Sequence, residues 1–179
     1  MHLVTMRKIT GAALLILLAA CGRPAPSEKV DDGNPLEIAA RERGIVRAEA
    51  SVPTGVFERS HDLGRDAMCV VPDGTGRWRF ALTAAFGPGL SCTAQGGLVR
   101  EGEGWRMRFA GAEGCDLAVR EEEDELHLPG ALPPQCDRLC PGRASLAGLR
   151  LPRASWAESD ARHLRFQGAD GKPVQPCGA

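Results

Sequence analysis

Six cysteines, Cys69, Cys92, Cys115, Cys136, Cys140 and Cys177, are the residues of this 179-residue chain best equipped for chemistry. Cys136 and Cys140 stand as Cys-x-x-x-Cys, so a redox pair or a shared metal is one reading of them. Their spacing matches neither the Cys-x-x-Cys of thioredoxin-like motifs nor a zinc knuckle, and no histidine follows Cys140 as haem attachment requires. An even count, in any oxidising compartment, points instead to structural disulfides, with fifteen pairings open. Each bridge would contribute roughly 2 to 4 kcal/mol by restricting the unfolded chain.

Five arginines form the next group. Arg77 and Arg79, Arg106 and Arg108, and Arg120 each alternate with apolar residues, so strand geometry places them on the polar faces of neighbouring strands. Clustered guanidinium groups suit phosphate or carboxylate, whether on an envelope polymer or on a protein partner. The competing interpretation is a solvated face neutralised by Glu101, Glu103 and the acid run Glu121 to Glu125.

Other chemical candidates are weaker. His61, His127 and His163 are scattered and read as exposed. Ser145 lacks the Gly-x-Ser-x-Gly turn that projects a hydrolase nucleophile, and it has no Ser-x-x-Lys pairing. The acid run lacks the spaced oxygens and glycine of a calcium loop, which leaves a solvated hairpin tip. No catalytic residue, metal site or cofactor is expected from these patterns.

The elements that position these residues are mostly strands. Between about Val52 and Leu128 the dominant period is two: Trp78, Phe80, Leu82, Ala84 and Phe86 share one face, and Trp105, Met107 and Phe109 another. Leu117 and Val119 alternate with Ala118 and Arg120 in the same way. Glycine-rich turns at residues 73–76, 87–89, 96–97, 101–104 and 111–114 punctuate the pattern. The fold class is therefore mainly β, a small antiparallel barrel or sandwich with short peripheral helices, braced by disulfides. Cys69, Cys92 and Cys115 recur at intervals of 23, which suggests duplicated hairpins.

Helices are expected at Pro35 to Arg43, where proline opens and Gly44 closes, and as a turn or two at Gln135 to Cys140. In that turn Cys136 and Cys140 would each reach a different partner. Ser155 with Glu158 reads as a capping box ahead of Trp156 to His163, and Cys177 as a pin for the C-terminal tail.

The first twenty residues carry Arg7 and Lys8, then an apolar run from Gly11 to Ala20, too short to span a bilayer. Leu18-Ala19-Ala20-Cys21 resembles the lipobox of bacterial lipoproteins at all four positions. That resemblance implies cleavage before Cys21 and diacylglyceryl and acyl groups on it, hence a membrane partner reached through lipid. Gly22 after the cysteine, where an aspartate would retain the protein inside, implies the periplasmic face of the outer membrane. Residues 21–34, with two prolines and little to bury, read as a lipidated tether, and 35–179 as one domain.

Removing residues 1–20 leaves 20 basic and 23 acidic side chains, a balance that argues against nucleic acid as partner. Five Phe, three Trp and no Tyr leave little aromatic material for a core, which raises the value of cross-links. The address and the small cysteine-bearing β domain together resemble, in architecture, the membrane-bound inhibitors of C-type lysozyme, whose family fold is a small antiparallel barrel. The missing tyrosines and the greater length depart from that family, so no site residue is carried over. Two functions follow as expectations: a non-catalytic envelope lipoprotein that binds a ligand or serves as a structural module, or a thiol-active redox or metal-binding lipoprotein using Cys136 and Cys140.

Overall fold

The computed structural model describes residues 35–43, 52–168 and 171–178, so the expected signal segment, Cys21 and the tether lie outside the described residues. Helix α1 (Pro35–Glu42) opens on the proline whose missing N–H a helix start tolerates. Its last turn closes with the Arg43 N–H donating to the Ala39 carbonyl. No helix among the described residues is long and apolar enough to cross a membrane.

Eight strands follow: β1 (Gly55–His61), β2 (Gly64–Pro72), β3 (Arg77–Ala85), β4 (Ser91–Glu101), β5 (Gly104–Phe109), β6 (Asp116–Glu122), β7 (Glu125–His127) and β8 (Arg150–Ser155). Each pairs antiparallel with the next, and β8 returns to β1, so the sheet closes into a barrel rather than a sandwich. The expected alternation holds. Phe57, Met68, Val70, Phe80, Leu82, Leu98, Met107, Leu117, Leu126 and Leu151 all point inward and are almost wholly buried. A barrel of this strand number is just wide enough for side chains to fill. Gly96 is the inward exception: it lies in register between Phe80 and Phe109, whose rings meet edge to face at 5.3 Å. A Cβ on Gly96 would overlap the Arg108 carbonyl.

Alternating hairpins divide the connections between two mouths. The first mouth gathers the β1–β2, β3–β4 and β5–β6 turns and the long link from β7 to β8, which contains a 3₁₀ helix (Pro134–Leu139). That link folds over the opening as a plug, burying Leu128, Cys136, Leu146 and Leu149 against the barrel interior. The second mouth gathers the three short turns and the β1–β8 seam.

A smaller core lies outside the barrel. Val56, Ala67, Cys69, Val71 and Ala81 face outward from β1 to β3 and are covered by Ala161, Leu164, Phe166 and Cys177. Helix α2 (Glu158–His163) and the hairpin of β9 (Phe166–Gln167) with β10 (Pro173–Val174) carry that cover.

The cysteines pair as Cys69 with Cys177, Cys92 with Cys140, and Cys115 with Cys136, spanning 108, 48 and 21 residues. The three loops are nested, and each ties the barrel to the last third of the chain.

Several sequence expectations are corrected. Strand β8 was not anticipated, because Pro152 interrupts its pattern. Ser155 ends that strand and caps nothing three residues on. Its hydroxyl accepts from the Ala157 N–H and donates to Asp160, while α2 starts after Ala157. The 23-residue cysteine spacing reflects no repeat: Cys69 faces outward, Cys92 inward, and Cys115 lies in a loop.

Candidate functional site

The five arginines do emerge on the outer face of β3 to β6, by the same alternation that buries their neighbours. Register brings four of them together. Arg77 lies opposite Val99, which lies opposite Arg106; Arg79 lies opposite Gly97, which lies opposite Arg108. Two arginines on β3 and two on β5 thus flank an uncharged stretch of β4, with two strand spacings, about 9.6 Å, between the two walls. At Gly97 the floor is bare backbone, with only the Trp78 carbonyl within 4 Å of a Cβ placed there.

The four are not equally available. Arg79 is turned onto the C-terminal tail, donating to the carbonyls of Pro176 and Cys177 at 3.0 Å each. Arg106 pairs with Glu101 at 2.5 Å, and that hydrogen-bonded carboxylate raises its guanidinium further above the ordinary value. Arg108 is 3.7 Å from Asp116, a loose contact. Arg77 has no carboxylate within ion-pair distance among the described residues. Arg120 stands apart from the other four: it faces His127 on β7, which faces Arg150 on β8, and its nearest carboxylate is Glu122 at 3.8 Å.

Sequence reasoning missed the charged groups that point inward. At the second mouth the Arg153 side chain is 1 % exposed and Glu121 10 %. Arg153 donates Nε and Nη2 to Glu121 Oε1 and Nη1 to the Thr54 carbonyl. Its guanidinium also lies 4.1 Å from the Phe57 ring centre and 3.7 Å from that of Trp156. Beside it Trp78 and Trp105 meet edge to face at 5.2 Å. The signal was present in the alternation: Leu117, Val119 and Glu121 continue one inward series, Leu151 and Arg153 another.

At the first mouth Asp66 is 2 % exposed and accepts from Arg59 at 2.6 Å and from the Ala85 N–H at 2.8 Å. His61 Nε2 lies 3.1 Å from it, off the axis of a hydrogen bond, while the Leu63 N–H donates to Nδ1. Burial pushes the Asp66 carboxyl up, but His61, the Ala85 N–H and Arg59 outweigh it and hold the carboxyl below its ordinary value. His61 is therefore a half-buried partner rather than an exposed residue. His127 likewise sits 2.7 Å from Glu125, whereas His163 is exposed.

All six candidate cysteines are bonded, Cys136 and Cys140 to different barrel residues. Neither presents a thiol. Among the described residues no group of three His, Cys, Asp or Glu could hold a metal ion.

The chain matches no family model, no curated protein and no solved structure. What the site can do rests on its own geometry.

Proposed function

We propose that the protein is an exported, lipid-anchored binding module that holds an anionic envelope ligand on the outer face of its barrel. The observation carrying this reading is the arginine-flanked floor of β4, where Arg77, Arg106 and Arg108 border Val99 and Gly97. Guanidinium groups recognise phosphate and carboxylate through paired N–H donors. The interior supports the assignment to the outside, because it is filled by side chains and its two inward ion pairs are already satisfied internally.

The lipobox at Leu18 to Cys21 supplies the address, and the tether after it supplies reach from the membrane. Acyl chains on Cys21 contribute about 0.8 kcal/mol per buried methylene, so more than one of them gives stable anchoring.

The test is binding of inorganic polyphosphate by the full chain in detergent, at two salt concentrations, with Arg77→Gln, Arg106→Gln and Arg108→Gln combined. Salt-sensitive binding that the triple variant loses is the expected result. Salt-insensitive absence of binding overturns the reading. For the anchor, Cys21→Ser should release the protein from the membrane fraction.

A further inference from the structure

We infer that the ligand is an extended carboxylated glycan lying along the outer face of β4, an inference that rests on the anionic-ligand reading and names its substrate class. The outward residues of β4 are Ser91, Thr93, Gln95, Gly97 and Val99, five successive positions without a charge. From Ser91 to Val99 this strip runs for about 26 Å. A point anion needs only one end of such a track.

Beyond the arginine walls the strip enters a groove of about 680 Å³, closed by the plug on one side and by the β9–β10 hairpin on the other. A second groove, of about 760 Å³, adjoins it through Ser91, Phe166, Gln167 and Gly168. Their polar lining is of one kind. Thr83, Ser91, Thr93, Gln95 and Gln167 offer hydroxyl and amide groups, none of which makes a side-chain hydrogen bond among the described residues. Arg138 and Arg165 add two exposed guanidiniums without a carboxylate partner among the described residues. No described residue lining either groove is acidic.

The contrast lies on the same molecule. The shallow groove above β5 and β6 is lined by Glu101, Glu103, Glu121 and Glu122, and the one beside β7 by Glu122, Glu123 and Glu125. The β4 track is instead uncharged along its floor and basic at its borders, as is a smaller groove of about 280 Å³ between Arg120 and Arg150, and the length of the β4 track complements a chain of hydroxyls and amides bearing spaced carboxylates. Because the track is the face of a sheet and not its edge, recognition falls to side chains. That favours a polyhydroxylated chain over a peptide, which gains most of its affinity by pairing main chain to main chain.

The experiment is calorimetric titration of the full chain in detergent with four probes: an N-acetylated oligosaccharide bearing a carboxylate on alternate sugars, its methyl ester, polyglutamate and inorganic polyphosphate. The carboxylated glycan should bind, and esterification should weaken it at least tenfold. Arg138→Gln with Arg165→Gln, and separately Thr93→Val with Gln95→Ala, should each weaken it at least tenfold. All four positions are exposed, so these variants should fold. Polyglutamate binding as tightly as the glycan, or glycan binding indifferent to both double variants, overturns the inference. Polyphosphate binding that needs Arg106, without glycan binding, overturns it while leaving the arginine face intact. If no probe binds, both readings fall.

Discussion

The two mouths of the barrel are closed by different forces. The first is covered by a plug of chain stapled through Cys92–Cys140 and Cys115–Cys136, and its one deeply buried carboxylate, Asp66, is held by Arg59 and the Ala85 N–H. Among the described residues the second has no cross-link. There the β1–β8 seam is clasped by Arg153, which reaches Glu121, the Thr54 carbonyl and two aromatic rings at once. A bridge works mainly by denying freedom to the unfolded chain. A buried ion pair works only while both partners remain, because its desolvation cost is already committed. One mouth therefore answers to reductant, the other to mutation.

The largest expected effect comes from replacing all four plug cysteines by alanine. Loop-closure entropy assigns about 3.3 kcal/mol to the inner bridge. For the next bridge out, whose loop of 48 the inner one shortens to about 27, it assigns roughly 3.6 kcal/mol. Together that is comparable to the whole net stability of a domain. Thermal circular dichroism should show the cooperative transition falling steeply or disappearing; an unchanged transition would mean the plug adds nothing.

Arg153→Ala should cost about 3–5 kcal/mol in urea unfolding, since it removes the guanidinium that pairs with the buried Glu121 carboxylate. Arg153→Met combined with Glu121→Leu should recover most of that loss. If the double variant is as unstable as the single, the clasp acts through the Thr54 carbonyl and the rings and not through the ion pair.

Smaller still is the pH response of the first mouth. Because the folded Asp66 carboxyl titrates below its ordinary value of about 3.9, its stabilisation is fully present above that value and is lost as pH falls through the folded one. Asp66→Asn should flatten the fall of stability below about pH 4 relative to the native chain. A parallel profile in the variant would remove Asp66 from the account. The smallest effect is on the outer face, where Glu101→Gln should leave the melting temperature unchanged and strengthen polyphosphate binding by freeing Arg106.

Much of the barrel was legible because its strands are short and one-sided. Trp105-Arg-Met-Arg-Phe109 states its inner and outer faces in five residues, and the glycines at 73–76, 87–89, 101–104 and 111–114 state turns, whereas Gly96-Gly97, expected as a turn, lies inside β4, paired on both sides. Closure was not legible, since it depends on β8 meeting β1 across about a hundred residues, and β8 hides its period behind Pro152. The arginine face was readable as types on faces. The register that sets Gly97 between Arg79 and Arg108 was not, because a slip of two residues keeps every side chain on its own face. Arg153 and Glu121 were passed over for a related reason: charge at a strand end reads as solvent-facing until a partner on another strand's inward series is known.

The nested pairing also orders events in time. A chain that emerges N-terminus first presents Cys69, Cys92 and Cys115 before any of their partners, and those three lie 23 residues apart, almost the span of the innermost native loop. Premature oxidation would find the wrong neighbours as readily as the right ones. Correct pairing proceeds most directly from the inside outward, Cys115 with Cys136 first and Cys69 with Cys177 last. The arrival of Cys177 is thus what completes the set, and a chain cut short before it would be left with a permanently unmatched thiol on β2.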